Sequence, residues 1–78
     1  MPDTQFNRPL IAEVISIGEE MTSGARLDTN CQWLSQRLGE LGVAVAFHTT
    51  VGDTLQDNID VFRIACSRTD LVVSTGGL

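Results

Sequence analysis

"LIAEVISIG" occupies residues 10–18. The run is rich in β-branched residues, and apart from Glu13 and Ser16 it does not alternate between apolar and polar positions. A strand with one wet face alternates with a period of two; a strand covered on both faces reads as a nearly continuous apolar run. Gly18 closes the run. The expected element is a doubly covered strand, which calls for a parallel sheet with helices on both sides.

The rest of the chain agrees. Residues 1–9 form a polar lead-in closed by Pro9. After a loop from Gly18 to Leu27, Thr29 and Gln32 form a T-x-x-Q capping box, with Asp28 adding charge at the helix start. Cys31, Leu34, Leu38 and Leu41 recur every three or four residues as one apolar face. Gly42 suits the left-handed position after a helix. Gly39, inside it, costs about 1 kcal/mol relative to Ala, for which close helix–sheet packing is one reason. Val43–Val51 reads as a second strand. Gly52-Asp53-Thr54 then opens a second helix with Leu55, Ile59, Phe62 and Cys66 in one stripe and Ala65 alongside. "DLVVSTGGL" supplies a third strand ending in Gly76 and Gly77. The fold class is α/β: a three-layer α/β/α unit, β-α-β-α-β, with a parallel sheet. Residues 10–78 make one domain.

In such a sheet all carboxyl ends lie on one edge, so the loops at 18–27, 52–54 and 75–78 gather there. Right-handed crossovers allow a strand order of 2-1-3, with a switch-point crevice between strands one and three. Two glycine-bearing loops follow those two strands. The first exceeds the usual strand-to-helix length of about 2–6 residues, as functional loops often do. Gly76 and Gly77 let backbone N–H groups approach an anion, and Thr22, Ser23, Ser74 and Thr75 offer hydroxyls. Glu19, Glu20, Asp28 and Asp53 would repel that anion unless a divalent cation intervenes. Mg²⁺ or another hard divalent ion, carried in with a phosphorylated ligand, reconciles the two. Glu19 alone reads best as a solvated charge; for Glu20 and Asp53 function is ahead. His48 reads as a partly buried spacer rather than a general base, Trp33 as packing or a helix-side contact, and Asn30 as a loop or helix-start hydrogen bond.

Several classes drop out. Ten acids face five arginines and no lysine, for a net charge of −5. A Walker-type phosphate loop needs its lysine, and a nucleic-acid binder needs a basic surface. The glycines of "GEEMTSG" do not match a dinucleotide fingerprint. A phospho-receiver would need an Asp ending its third strand and a later Lys. Cys31 and Cys66 have no zinc-site spacing and read as buried free thiols on helix faces, which fits a cytoplasmic setting. The first residues lack the apolar core of a signal peptide, and no stretch is long enough to span a membrane.

Three blocks together resemble a known family. "IGEEMTSGARLDTN" at 17–30, "VGD" at 51–53 and "STGGL" at 74–78 are similar to the molybdopterin-binding, MoaB/Mog-like domain, and within it to the N-terminal domain of CinA-type competence/damage-inducible proteins. Gly18, Glu20, Met21, Gly24, Asp28, Thr29 and Asn30 fit the first block, Val51 to Asp53 the second, and Thr75 to Gly77 the third. The resemblance implies an oligomeric domain that binds molybdopterin or an adenine nucleotide with Mg²⁺. In CinA-like relatives it implies metal-dependent hydrolysis of the ADP-ribose pyrophosphate, with nicotinamide mononucleotide deamidation in a separate domain. Asp53 and Glu20 would be the catalytic and metal positions. Gly18, Gly24, Asp28, Asn30, Thr75, Gly76 and Gly77 would bind the nucleotide or pterin. The pattern continues past Leu78 with a Gly and an acidic segment, so the chain reads as incomplete. By itself it is expected to be inactive, and a non-catalytic fragment or binding module is the alternative.

Overall fold

The computed structural model describes residues 9–18 and 29–76. The element order is β1 (Leu10–Ile17), α1 (Thr29–Glu40), β2 (Val43–Val51), α2 (Leu55–Arg68) and β3 (Leu71–Gly76). The three strands form one sheet in the order β2-β1-β3, and both pairings are parallel. This is the expected topology. A right-handed connection from β1 to β2 and another back across β1 to β3 must place their helices on opposite faces. Accordingly α1 meets His48 of β2, while Ala65 of α2 packs on Ile15 and Val51.

The central strand is buried from Ala12 through Ser16, as expected for a strand covered on both faces. One core lies under α2, where Ile15, Val51 and Ala65 gather Ile17, Val61, Phe62 and Val72. Val14 and Ala12 are buried as well. The register along β1 and β2 shifts between Ala12 and Glu13, skipping Ala46 and setting Phe47 opposite Glu13. This one-residue bulge brings the ring onto the same face as the carboxylate.

Glu13 is fully buried and fully partnered. Arg68, 55 residues away, donates from Nε to Oε1 at 2.8 Å and from Nη2 to Oε2 at 2.9 Å. The Thr49 hydroxyl donates to the same Oε2, and the guanidinium lies 3.8 Å from the centre of the Phe47 ring. Arg68's hydrogen bonds hold the Glu13 carboxyl below the usual glutamate range; burial opposes them and Thr49 assists.

The structure corrects several helix readings. The inward stripe of α2 runs through Val61, Phe62 and Ala65, whereas Leu55, Ile59 and Cys66 are exposed. Alanine at 65 lets the helix axis approach the sheet, and this rotates the larger Leu55 and Ile59 outward. On α1, Cys31 is buried and Leu34 and Leu38 are half-buried. Leu41 lies beyond the helix and is 78% exposed. Gly42 takes the expected left-handed backbone, with φ of 87°, and its N–H donates to the Gly39 carbonyl.

Gly39 does not serve close packing, because a Cβ built there meets nothing within 4 Å. Gly39→Ala should therefore stabilise the chain by about 0.5–1 kcal/mol through helix propensity. Urea unfolding would show a higher midpoint at unchanged slope; a lower midpoint would mean that this helix face is covered.

Candidate ligand site at the carboxyl edge of the sheet

The three strands end level. Ile17 is paired with Val51 on one side and with Gly76 on the other, and the Gly18 N–H donates to the Val51 carbonyl at 2.9 Å. The turns that follow β1, β2 and β3 thus start from one edge. One residue back, Ser16 is paired with both Thr50 and Thr75. Residues in register project to the same face of a parallel sheet, so these three hydroxyl side chains form a row across it, on the α1 side.

Gly76 closes the row. Its φ is 84°, and a Cβ at this position would lie far inside contact distance of the Ile17 carbonyl oxygen. Only glycine lets β3 come this close to β1 with this backbone angle. Asp53 stands at the end of β2, exposed to solvent, in a turn pinned from α2. The Asn58 side-chain amide donates to the carbonyls of Gly52 at 2.8 Å and Thr54 at 2.9 Å. Thr54 precedes α2 in extended geometry and makes no capping bond with its own side chain. Asn58 therefore orders the turn that presents Asp53, a role that sequence reading missed. The available signal was an amide in the first turn of a helix, where such side chains bond nearby backbone.

Gly18, Asp53, Thr75 and Gly76 therefore share one edge. Val51 and Gly76 lie on opposite sides of β1, two strand spacings or about 10 Å apart, and Asp53 follows Val51 by two residues. Glu20, Gly24, Asp28 and Gly77 fall outside the described residues, as does the side chain of Asn30. Among the described residues no group of three His, Cys, Asp or Glu is placed to hold a metal ion.

A cleft of about 440 Å³ opens between α1 and β2, lined by Ser16, Cys31, Gln32, Ser35, Gln36 and His48, with Thr49 and Thr50. It continues the hydroxyl row from Ser16 and Thr50. His48 is not the partly buried spacer expected: it is exposed, with Nδ1 3.5 Å from Cys31 Sγ and Nε2 2.8 Å from Ser35 Oγ. Nothing local in the sequence signals these contacts, since the three residues come from two elements. Trp33 is 59% exposed on the same helix, with the Arg37 guanidinium 5.8 Å from its ring centre. No helix among the described residues is long and apolar enough to cross a membrane.

A crystal structure of CinA from Thermoplasma acidophilum, described as a protein of unknown function, superposes with a TM-score of 0.85 at 36% identity, covering 90% of this chain and 41% of that one. CinA-like proteins of Dictyoglomus thermophilum and Dictyoglomus turgidum are 52% and 50% identical over 66 residues. Those residues are 85% of this chain and 16% of each relative, so the chain spans about a sixth of their length. The family described as probable molybdopterin binding domain matches residues 13–78. The chain therefore belongs to the molybdopterin-binding domain family, and within it is similar to CinA-like proteins.

Proposed function

We propose that this chain forms one wall of a site for a phosphorylated nucleotide or pterin, bound together with a divalent cation. The single observation that carries this reading is the level ending of β1 and β3. Ile17 is in register with Gly76, so the Gly18 and Gly76 turns flank the switch-point crevice where open α/β sheets bind ligands. The ligand's phosphates would meet backbone N–H groups beside Gly76 and the hydroxyl row of Thr50, Ser16 and Thr75. Asp53, exposed on the far side of β1, would hold the cation. One carboxylate suits Mg²⁺, which commonly takes one or two carboxylates and completes its shell with ligand phosphates and water. Glu20 is the second carboxylate in this proposal.

The cation would polarise a phosphoryl oxygen of the ligand. This chain's own residues bind and orient: Asn58 fixes the Asp53 turn, and Gly76 keeps the edge open to the anion. In the longer relatives' architecture the reaction proposed for this site is hydrolysis of the ADP-ribose pyrophosphate.

Titration calorimetry with ADP-ribose and MgCl₂ tests the proposal. Binding is expected with Mg²⁺ and should fall at least about tenfold without it, or in Asp53→Asn, with circular dichroism unchanged. Equal affinity in Asp53→Asn removes the cation site, and absence of binding by the parent chain removes the pocket. Binding without release of AMP assigns the 78 residues a binding role alone.

A further inference from the structure

We propose that Cys31 is a base-assisted nucleophile, and that the cleft between α1 and β2 is a covalent attachment site for small disulfides. The argument begins with one hydrogen atom. Ser35 lies one helical turn after Cys31, and its hydroxyl donates to the Cys31 carbonyl at 2.9 Å. A serine hydroxyl has a single hydrogen to give. The 2.8 Å contact between Ser35 Oγ and His48 Nε2 must then run the other way, with Nε2–H as donor. A neutral imidazole protonated on Nε2 carries its lone pair on Nδ1. In that tautomer Nδ1, 3.5 Å from Cys31 Sγ, is placed to accept the thiol hydrogen.

The order is nucleophile, base and orienting group, the arrangement that activates thiols in unrelated sites. Its parts come from α1 and β2, and it opens into a cleft of about 440 Å³ whose mostly apolar wall carries the polar groups of Gln32, Gln36, Ser16 and Thr50. The volume admits a small molecule. Cys31 is only 4% exposed, whereas His48 is exposed, so a reagent must enter the cleft to reach sulfur.

The chemistry is thiol–disulfide exchange. The Cys31 S–H proton passes to His48 Nδ1, and Sγ attacks one sulfur of the incoming disulfide. A new S–S bond forms as the old one breaks, and the departing thiolate leaves with the proton returned by the imidazolium. The Cys31 sulfur is oxidised and the leaving sulfur reduced, with no other reactant. The resulting mixed disulfide would occupy the cleft beside the hydroxyl row. The argument does not rest on the nucleotide or pterin reading above, although Ser16 and Thr50 border both sites.

Cys66 supplies the internal control, because it is a free, exposed thiol on α2. Exposure alone predicts that Cys66 reacts faster. The test is the rate of thionitrobenzoate release from dithiobis(nitrobenzoate) by the full chain carrying Cys66→Ser or Cys31→Ser. The buried Cys31 should react at least about tenfold faster than Cys66, and His48→Gln should remove that advantage. Ser35→Ala, which frees the imidazole to change tautomer, should slow Cys31 while leaving the Cys66 rate unchanged. Mass spectrometry should place the adduct on Cys31. Cys31 reacting more slowly than Cys66 in the native chain, and matching it only in urea, overturns the proposal. So does an unchanged Cys31 rate in both the His48 and Ser35 variants.

Discussion

Replacing Gly76 with valine is expected to destabilise the chain by at least about 2 kcal/mol. Two costs combine. The backbone at Gly76 has φ of 84°, which a β-branched residue adopts only under strain. The added Cβ also collides with the Ile17 carbonyl oxygen, a main-chain atom held in the β1–β3 pairing and unable to swing aside. For a domain of this size that loss lowers the melting temperature by about 8–16 °C. Thermal unfolding followed by circular dichroism gives the answer. A midpoint within about 3 °C of the parent would mean that β3 does not end against Ile17, and the crevice would go with it.

The second large effect concerns the ion pair at the opposite end of the sheet. Arg68→Met leaves the Glu13 carboxylate buried with only the Thr49 hydroxyl. The orphaned carboxylate is expected to cost about 2–3 kcal/mol. This lies below the range for fully enclosed pairs because the Arg68 side chain is 37% exposed, so water already screens part of the interaction. Glu13→Leu combined with Arg68→Met should recover most of the loss, since buried pairs often exchange for apolar packing without penalty. A double variant no better than Arg68→Met would show that guanidinium packing on Phe47, not charge, supplies the stability.

The same pair fixes an acid limb. Glu13's carboxyl is held below its unfolded value, chiefly by Arg68. Its contribution is therefore complete above the ordinary glutamate range. It declines as the pH falls through that range and is gone below the lowered folded value. Urea midpoints should drop through that window in the parent chain and drop less in the double variant.

Much of the architecture was legible. The mostly apolar, non-alternating run at 10–17 announced a strand covered on both faces, and β1 is that strand. The loop–helix–strand alternation implied parallel crossovers, and the order β2-β1-β3 follows. Helix faces were read less well. Periodicity gave the pitch of α2, but Leu55, Ile59, Phe62 and Cys66 compete with Val61, Phe62 and Ala65 as its inward stripe. Size at the contact decided it: Ala65 is small enough for the helix to close on Ile15 and Val51. At the carboxyl edge, Gly18, Asp53, Thr75 and Gly76 were all identifiable from the three family blocks. Asn58 was not, because its partners are carbonyls that become neighbours only once the 52–54 turn has formed.

The amino-acid sequence by itself determined the identity and order of the elements, the buried central strand and the glycine that ends β3. These follow from backbone preferences and short-range apolar spacing, which each segment carries within itself. Only the tertiary structure decided that Glu13 meets Arg68 and Thr49, that the bulge at Ala46 sets Phe47 beneath the guanidinium, and that Cys31, Ser35 and His48 line one cleft. Those contacts join residues from different elements. They exist only because the crossovers bring α1 and α2 down on opposite faces of one sheet.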